Sequence, residues 1–297
     1  MQTIHRRMRR GPLLMIGASL AFTAMVALVK VARTEPGLSS LEVMLWRGAM
    51  SVPVAWALIG RRWQVRRPDL LALRCGLGFG AMFCFYSAAA RLPLGELSVV
   101  AKLQPLFVTV LAPLLLGGGE AGGRRVWLAI ALGLGGTAVL VSPELSGTPV
   151  AGRLPAVGFA LASSVLSALA HTALRALGRS EDPRVVVFWF QLAVALGAVT
   201  AIWIQPTASL TPPPTPGVWA LLAGIGLFAV TGQLLQTRAY QIDHAPRVAA
   251  ASYVSPLFGF LADLALFGAL PRVSALIGGG LVIGAGLLLL LDEEPRP

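Results

Sequence analysis

Two stretches decide how this chain is read: Ala101–Gly117, AKLQPLFVTVLAPLLLG, and Ser252–Gly268, SYVSPLFGFLADLALFG. Each is an apolar run with a proline near its middle and a glycine at its end. Pro105, Leu106, Phe107 and Gly117 match Pro256, Leu257, Phe258 and Gly268 at one offset, 256 − 105 = 151 and 268 − 117 = 151. The same offset relates Ala88 to Ala239 and Lys102 to Tyr253. Further out the match is weaker: Pro12 with Pro155, Ala18-Ser19 with Ala162-Ser163, and Ala24 with Ala168. Arg125-Val126 and Arg272-Val273 each open a glycine-rich run. The chain therefore reads as two similar halves, residues 1–145 and 150–297, joined near Ser142–Arg153.

The apolar blocks are about twenty residues long, the length that crosses a bilayer core as a helix. They fall at Gly11–Val31, Leu38–Ile59, Leu70–Ala90, Leu94–Leu116, Val126–Val141, Leu154–Leu177, Val185–Ile204, Val218–Gln236, Val248–Leu266 and Val273–Leu291, ten candidate spans. Only 12% of the 297 residues are charged, and the mean hydropathy is +0.76. No segment is polar enough to form a soluble domain. The basic start before Gly11 and the long run after it read as an uncleaved first span, since a secretory signal has a shorter apolar core and a cleavage site. Cys75 and Cys84 lie in one block, about 13 Å apart along a helix, too far for a bridge.

The net charge of +11 does not point to nucleic acid, because the arginines lie between apolar blocks and form no face. They orient the chain instead. With the N-terminus inside, inside segments hold Arg6, Arg7, Arg9, Arg10, Arg61, Arg62, Arg66, Arg67, Arg124, Arg125, Arg175, Arg179, Arg184, Arg238, Arg247 and Arg296. Outside segments hold only Arg33, Arg91, Arg153 and Arg272. Five spans per half is an odd number, so the second half enters from the opposite side. Inverted repeats of this kind are built into many secondary transporters, where exchanging the conformations of the halves moves an opening from one side to the other. Glycines such as Gly76-Gly78-Gly80, Gly133-Gly135-Gly136 and Gly278-Gly279-Gly280 suit close helix approach in lipid.

These features resemble the drug/metabolite transporter superfamily, specifically its EamA-type members. The resemblance covers the whole chain. It rests on the two halves of five spans, on QPLF at Gln104–Phe107 and SPLF at Ser255–Phe258, on Arg47 within the second span and on Glu120 before the fifth. The second half departs from the pattern: Phe188, Trp189 and Phe190 stand where an arginine is expected, and no glutamate lies near Gly268. Among members the chain looks most like the YddG-type amino-acid exporters of bacterial inner membranes. The resemblance implies a central cavity lined by spans one, three, four, six, eight and nine.

Polar groups in hydrocarbon are costly, so each one is a candidate for function. Lys102, on one face with Ser98 and Pro105, suits a substrate carboxylate, or else snorkels or pairs with Glu96. Gln104 precedes Pro105. Pro105 and Pro256 each remove a backbone donor, and their symmetric positions suit hinges. Phe79, Met82, Phe83 and Tyr86 share a helical face, apt for an aromatic substrate side chain or for helix packing. Gln233, Gln236 and Tyr240 line a polar face that suits both ends of a zwitterion or bridges helices. His171 is a titratable group or a packed one. Tyr253 is the counterpart of Lys102. Arg47 braces the fold, and Asp263 lies toward an end of its span.

The chain has no HExxH, Walker or GxGxxG motif opening a nucleotide domain, which disfavours an enzyme or an ATP-driven pump. No ring of like charges suggests a channel. The expectation is an all-α membrane protein exporting small organic solutes, amino acids with aromatic or large apolar side chains in particular. Alternating access is the mechanism, with proton-coupled drug/metabolite antiport as the alternative. Its partners are the solute and the bilayer, with no cofactor, metal or nucleic acid. It is expected as a monomer or weak dimer in a bacterial inner membrane, both termini cytoplasmic.

Overall fold

The computed structural model describes residues 10–34, 38–61, 63–89, 100–117, 119, 122–145, 153–178, 180–204, 215–267 and 273–290. The long elements among them are helices: α1 (Arg10–Thr34), α2 (Ser40–Ile59), α3 (Pro68–Ala89), α4 (Gln104–Leu116), α5 (Arg124–Leu145), α6 (Arg153–Leu177), α7 (Pro183–Ile204), α8 (Pro216–Ile242), α9 (Ala245–Ala251), α10 (Ser255–Phe267) and α11 (Val273–Leu290). A helix satisfies its own backbone, which hydrocarbon demands. Five stretches, Arg10–Val29, Pro68–Phe85, Pro155–Leu177, Pro183–Ile204 and Pro216–Ile242, are long and apolar enough to cross a bilayer. Gln104–Leu116 and Leu276–Ala285 are apolar but shorter.

Local chemistry sets several starts. Ser39 and Glu42 close a reciprocal cap on α2, Glu42 N donating to Ser39 Oγ at 3.2 Å and Ser39 N to Glu42 Oε2 at 2.8 Å. Pro68, Pro183 and Pro216 open α3, α7 and α8, where a missing N–H is no loss.

The helices pair α1 with α8, α3 with α6, α2 with α7 and α5 with α11. Exchanging the two halves turns the α1–α8 pair into α6–α3 and carries α2–α7 and α5–α11 onto themselves. Contacts of α4 with α6 likewise answer those of α10 with α1. Large apolar side chains such as Leu114, Trp203 and Val273 project outward, 76%, 86% and 72% exposed, as a lipid-facing surface would.

Close approach occurs at particular glycines. A Cβ on Gly48 would come within 2.7 Å of the Ala195 backbone of α7, and one on Gly136 within 2.7 Å of the Gly278 carbonyl of α11. Gly76, Gly135 and Gly280 meet open space instead. Glycines two apart point about 200° away from each other on a helix, so a run cannot serve one neighbour. Both cysteines are free.

The sequence reads the fourth and ninth spans as apolar runs hinged at Pro105 and Pro256; the structure interrupts both runs. A turn closed by Leu103 N on Val100 O at 3.0 Å precedes α4. One turn of 3-10 helix, Ser252–Val254, separates α9 from α10. Each interruption lies just before the proline of its half.

Candidate functional site

The two interruptions meet. Pro256 has no N–H, so the Ser252 carbonyl four residues back lacks its helical donor. Lys102 Nζ donates to that carbonyl at 3.1 Å, and the Ser255 hydroxyl does so at 2.9 Å. Lys102 Nζ also donates to Ser255 Oγ. In return Tyr253 OH donates to the Lys102 carbonyl at 2.9 Å. Lys102 and Tyr253 are repeat counterparts, so equivalent positions of the two halves clasp each other. Tyr253 is fully buried, its ring pressed on Gly133 of α5, where no side chain intervenes.

A second polar group gathers from α3, α4, α6 and α8. Gln104 Nε2 lies 2.7 Å from His171 Nδ1 and 3.4 Å from Tyr240 OH. With the amide as donor, Nδ1 accepts and the neutral ring carries its proton on Nε2. Gln236 of α8 lies beside this ring. The imidazole stacks on Tyr240, centroids 4.7 Å apart at 10°. Arg74 of α3 joins through a 3.4 Å bond from its Nη2 to Gln233 Oε1 and lies within electrostatic reach of His171 and Tyr240. Gln233, Gln236 and Arg74 are all buried.

The structure thus brings Gln104, His171, Gln233 and Gln236 together and unites Lys102 with Tyr253. Phe83 is elsewhere. It stacks on Phe79, 6.5 Å apart at 28°, beside Met44, Leu45, Ala198 and Ile202 of α2 and α7. That apolar group is helix packing. The side chains of Tyr86, Pro256 and Asp263, and the residues Glu96, Ser98 and Glu120, lie outside the described residues. Pro105 is buried at the first turn of α4. Arg47 is buried and donates to Met82 Sδ at 2.8 Å, in keeping with a brace.

Sequence reasoning passed over Arg74. The signal was present, a charged residue inside an apolar block, but it stands early in its span, where an arginine is easily taken to reach the interface.

Residues 9–142 and 154–291 each match the sequence model of the EamA-like transporter family. The chain belongs to that family. Two matches account for the internal duplication, one EamA unit per half. The pseudopaline exporter CntI of Pseudomonas aeruginosa is 29% identical over 286 residues, covering 95% of this chain and 96% of that protein. A riboflavin transporter of Brucella anthropi is 24% identical over 298 residues, covering 94% of this chain and 98% of its own length. A crystal structure superposes with a TM-score of 0.81 at 22% identity, covering 95% of this chain and 98% of the other, a likeness of fold. The EamA family and these relatives are transporters, not enzymes. The chain is accordingly a multi-pass membrane transporter of small solutes.

Proposed function

We propose that this EamA-like chain exports small organic solutes by alternating access between two inverted halves of five spans each. Amino acids with aromatic or large apolar side chains are the first substrates to test. The observation that carries the reading is the clasp of Lys102 and Tyr253. Two helices, broken at equivalent positions, are bonded to each other across the boundary between halves, where a rocking motion has to make and break contacts. Pro105 and Pro256 are the hinges of those breaks. Gln104, His171, Gln233 and Gln236 bind the polar groups of the solute. Lys102 directs its donors at Ser252 and Ser255 in the arrangement described, so its part here is to close the two spans. The side-chain pocket for the solute, assigned to Tyr86 and Phe83 from sequence, rests on Tyr86, because Phe83 packs among α2, α3 and α7.

The relatives that move pseudopaline and riboflavin support a small-metabolite cargo and widen the panel beyond amino acids. The proposed membrane is a bacterial inner membrane, as the family resemblance implies, and the arginine distribution supports both termini being cytoplasmic. Purified protein in sealed liposomes should give saturable flux of a radiolabelled solute from a panel of amino acids and riboflavin. Flux without a pH gradient supports facilitation; flux that needs one supports proton-coupled antiport. Absence of saturable flux for every amino acid sinks the narrow substrate reading.

A further inference from the structure

Arg74 lies six residues after Pro68, 74 − 68 = 6, about 9 Å along α3 from its start. It is 2% exposed. A guanidinium offers five N–H donors and cannot shed its charge. Around this one stand the ring face of Phe190, 4.2 Å from the guanidinium carbon, and the single 3.4 Å bond to Gln233. Its Nε has no partner. Among the described residues no carboxylate pairs with it. Among the described residues the charge within electrostatic reach is Arg47, of the same sign.

A buried cation without a counter-charge is destabilising, and within a membrane it marks a functional position unless it is paired. Phe190 supplies a cation–π contact, which suits the face of the guanidinium and leaves its edge short of acceptors. A second orphan lies close by in the sequence of α8. Thr237, one turn on from Gln233, is 1% exposed, and its hydroxyl has no partner. Beyond it the Gln104 amide is engaged with His171, with Gln236 beside the same ring. The site is thus rich in donors and holds a fixed positive charge. Lys102 differs, since Ser252 and Ser255 already accept from it.

We propose that Arg74 binds an anionic group of the transported solute, a carboxylate or its equivalent, between α3 and α8. The solute supplies the missing counter-charge, and the carboxylate replaces the long bond to Gln233 with a bidentate pair on the guanidinium edge. Gln233 and Thr237 then hydrogen-bond the atoms beside it. The inference rests on the transporter reading and narrows its cargo to anionic or zwitterionic solutes.

The test is thermal unfolding of the purified protein in detergent, with phenylalanine, succinate and citrate, each beside its amide. At least one carboxylate should raise the melting temperature of the wild type in a saturable way while its amide does not. Arg74→Met should weaken that protection about tenfold to a hundredfold, the range for a lost charged hydrogen bond. Arg74→Lys should keep part of it, and Arg61→Gln, exposed beyond α2, all of it. Without solute, Arg74→Met should melt no lower than the wild type, because an unpaired buried charge has been removed. Equal protection by acid and amide overturns the proposal. So does full protection in Arg74→Met, a solute-free loss of several degrees that Arg74→Lys restores, or a panel in which no carboxylate protects. Should Arg74→Met fail to fold, the acid-against-amide comparison on the wild type and the Arg74→Lys result still decide. Saturable vesicle flux of an uncharged solute, with no carboxylate effect, would overturn the anion site alone and leave the transporter reading standing.

Discussion

Lys102 shows how a single side chain takes its role from the backbone around it. Pro256 leaves the Ser252 carbonyl without its i+4 donor; the Ser255 N–H and hydroxyl turn to it, and the lysine ammonium joins them from the other half of the chain. Lys102→Met keeps the stem and removes the donor. The expected result is a severalfold fall in maximal flux with the half-saturating concentration little changed, since the clasp acts on the motion and not on the solute. Flux against concentration in liposomes reads this directly, and a raised half-saturation with unchanged maximum would return Lys102 to solute binding. Asp243, just past the end of α8, makes a second prediction. Burial raises its carboxyl above the usual range, against the opposing pull of Arg247 3.6 Å away. Its folded pKa exceeds its unfolded one, so the stability it contributes is present at acid pH and lost as pH rises through the folded value. Asp243→Asn should therefore lessen the decline in melting temperature as pH rises from the acid side through the folded pKa. At this scale the sequence was legible at several polar residues that interrupt apolar neighbours, though not at Arg74: Gln104, His171, Gln233 and Gln236 stood out and now share a cluster. Phe83 lies apart from that cluster, a difference the sequence could not show, because an aromatic on a helix face reads the same whether it meets a solute or α7.

At the scale of the element, ten apolar blocks were visible from length and hydropathy, and Pro105 and Pro256 marked the fourth and ninth as the hinged ones, but not the form of the break. Proline announces a break without saying how the chain will repair it. Here the repair is a turn before Gln104 and a 3-10 turn at Ser252–Val254, each bonded to the opposite half. Pro256→Ala returns an N–H to compete for the Ser252 carbonyl. A continuous helix from Ala245 to Phe267 should then be favoured, and an interior proline weighs against helix by about 3 kcal/mol. The variant should melt no lower than the wild type and transport severalfold more slowly. Unchanged flux alongside unchanged stability would remove the break from the mechanism. The glycine runs carried less information than their number suggested. Gly48 and Gly136 touch a neighbouring backbone because of the direction they face, which composition does not record.

For the whole molecule, the arginine asymmetry gave an orientation, and the packing supplies an independent argument for which segments share an end. Glu181, between α6 and α7, accepts from the backbone N–H groups of Arg66 and Arg67, both at 2.6 Å. Gln241 at the end of α8 donates to the Glu181 carbonyl at 3.1 Å, and Arg175 to the Gln241 carbonyl at 3.2 Å. The loop before α3, the turn before α7 and the end of α8 are therefore one surface, and Arg61, Arg66, Arg67, Arg184 and Arg247 belong to it. The helix α8 has 27 residues, about 40 Å of rise, so Gly217 at its start lies at the opposite end. Lys and Arg favour the cytoplasmic face, so the proposed orientation has the Glu181 surface inside and the start of α8 outside. In a Cys75→Ala, Cys84→Ala background, Gly217→Cys should react with a membrane-impermeant maleimide in intact spheroplasts. Arg61→Cys should react only after permeabilisation. The reverse pattern would turn the molecule over without disturbing the helix pairs. Labelling of both from one side would contradict the proposed odd number of crossings between them, and with it the opposed orientation of the two halves that the proposed alternating access requires.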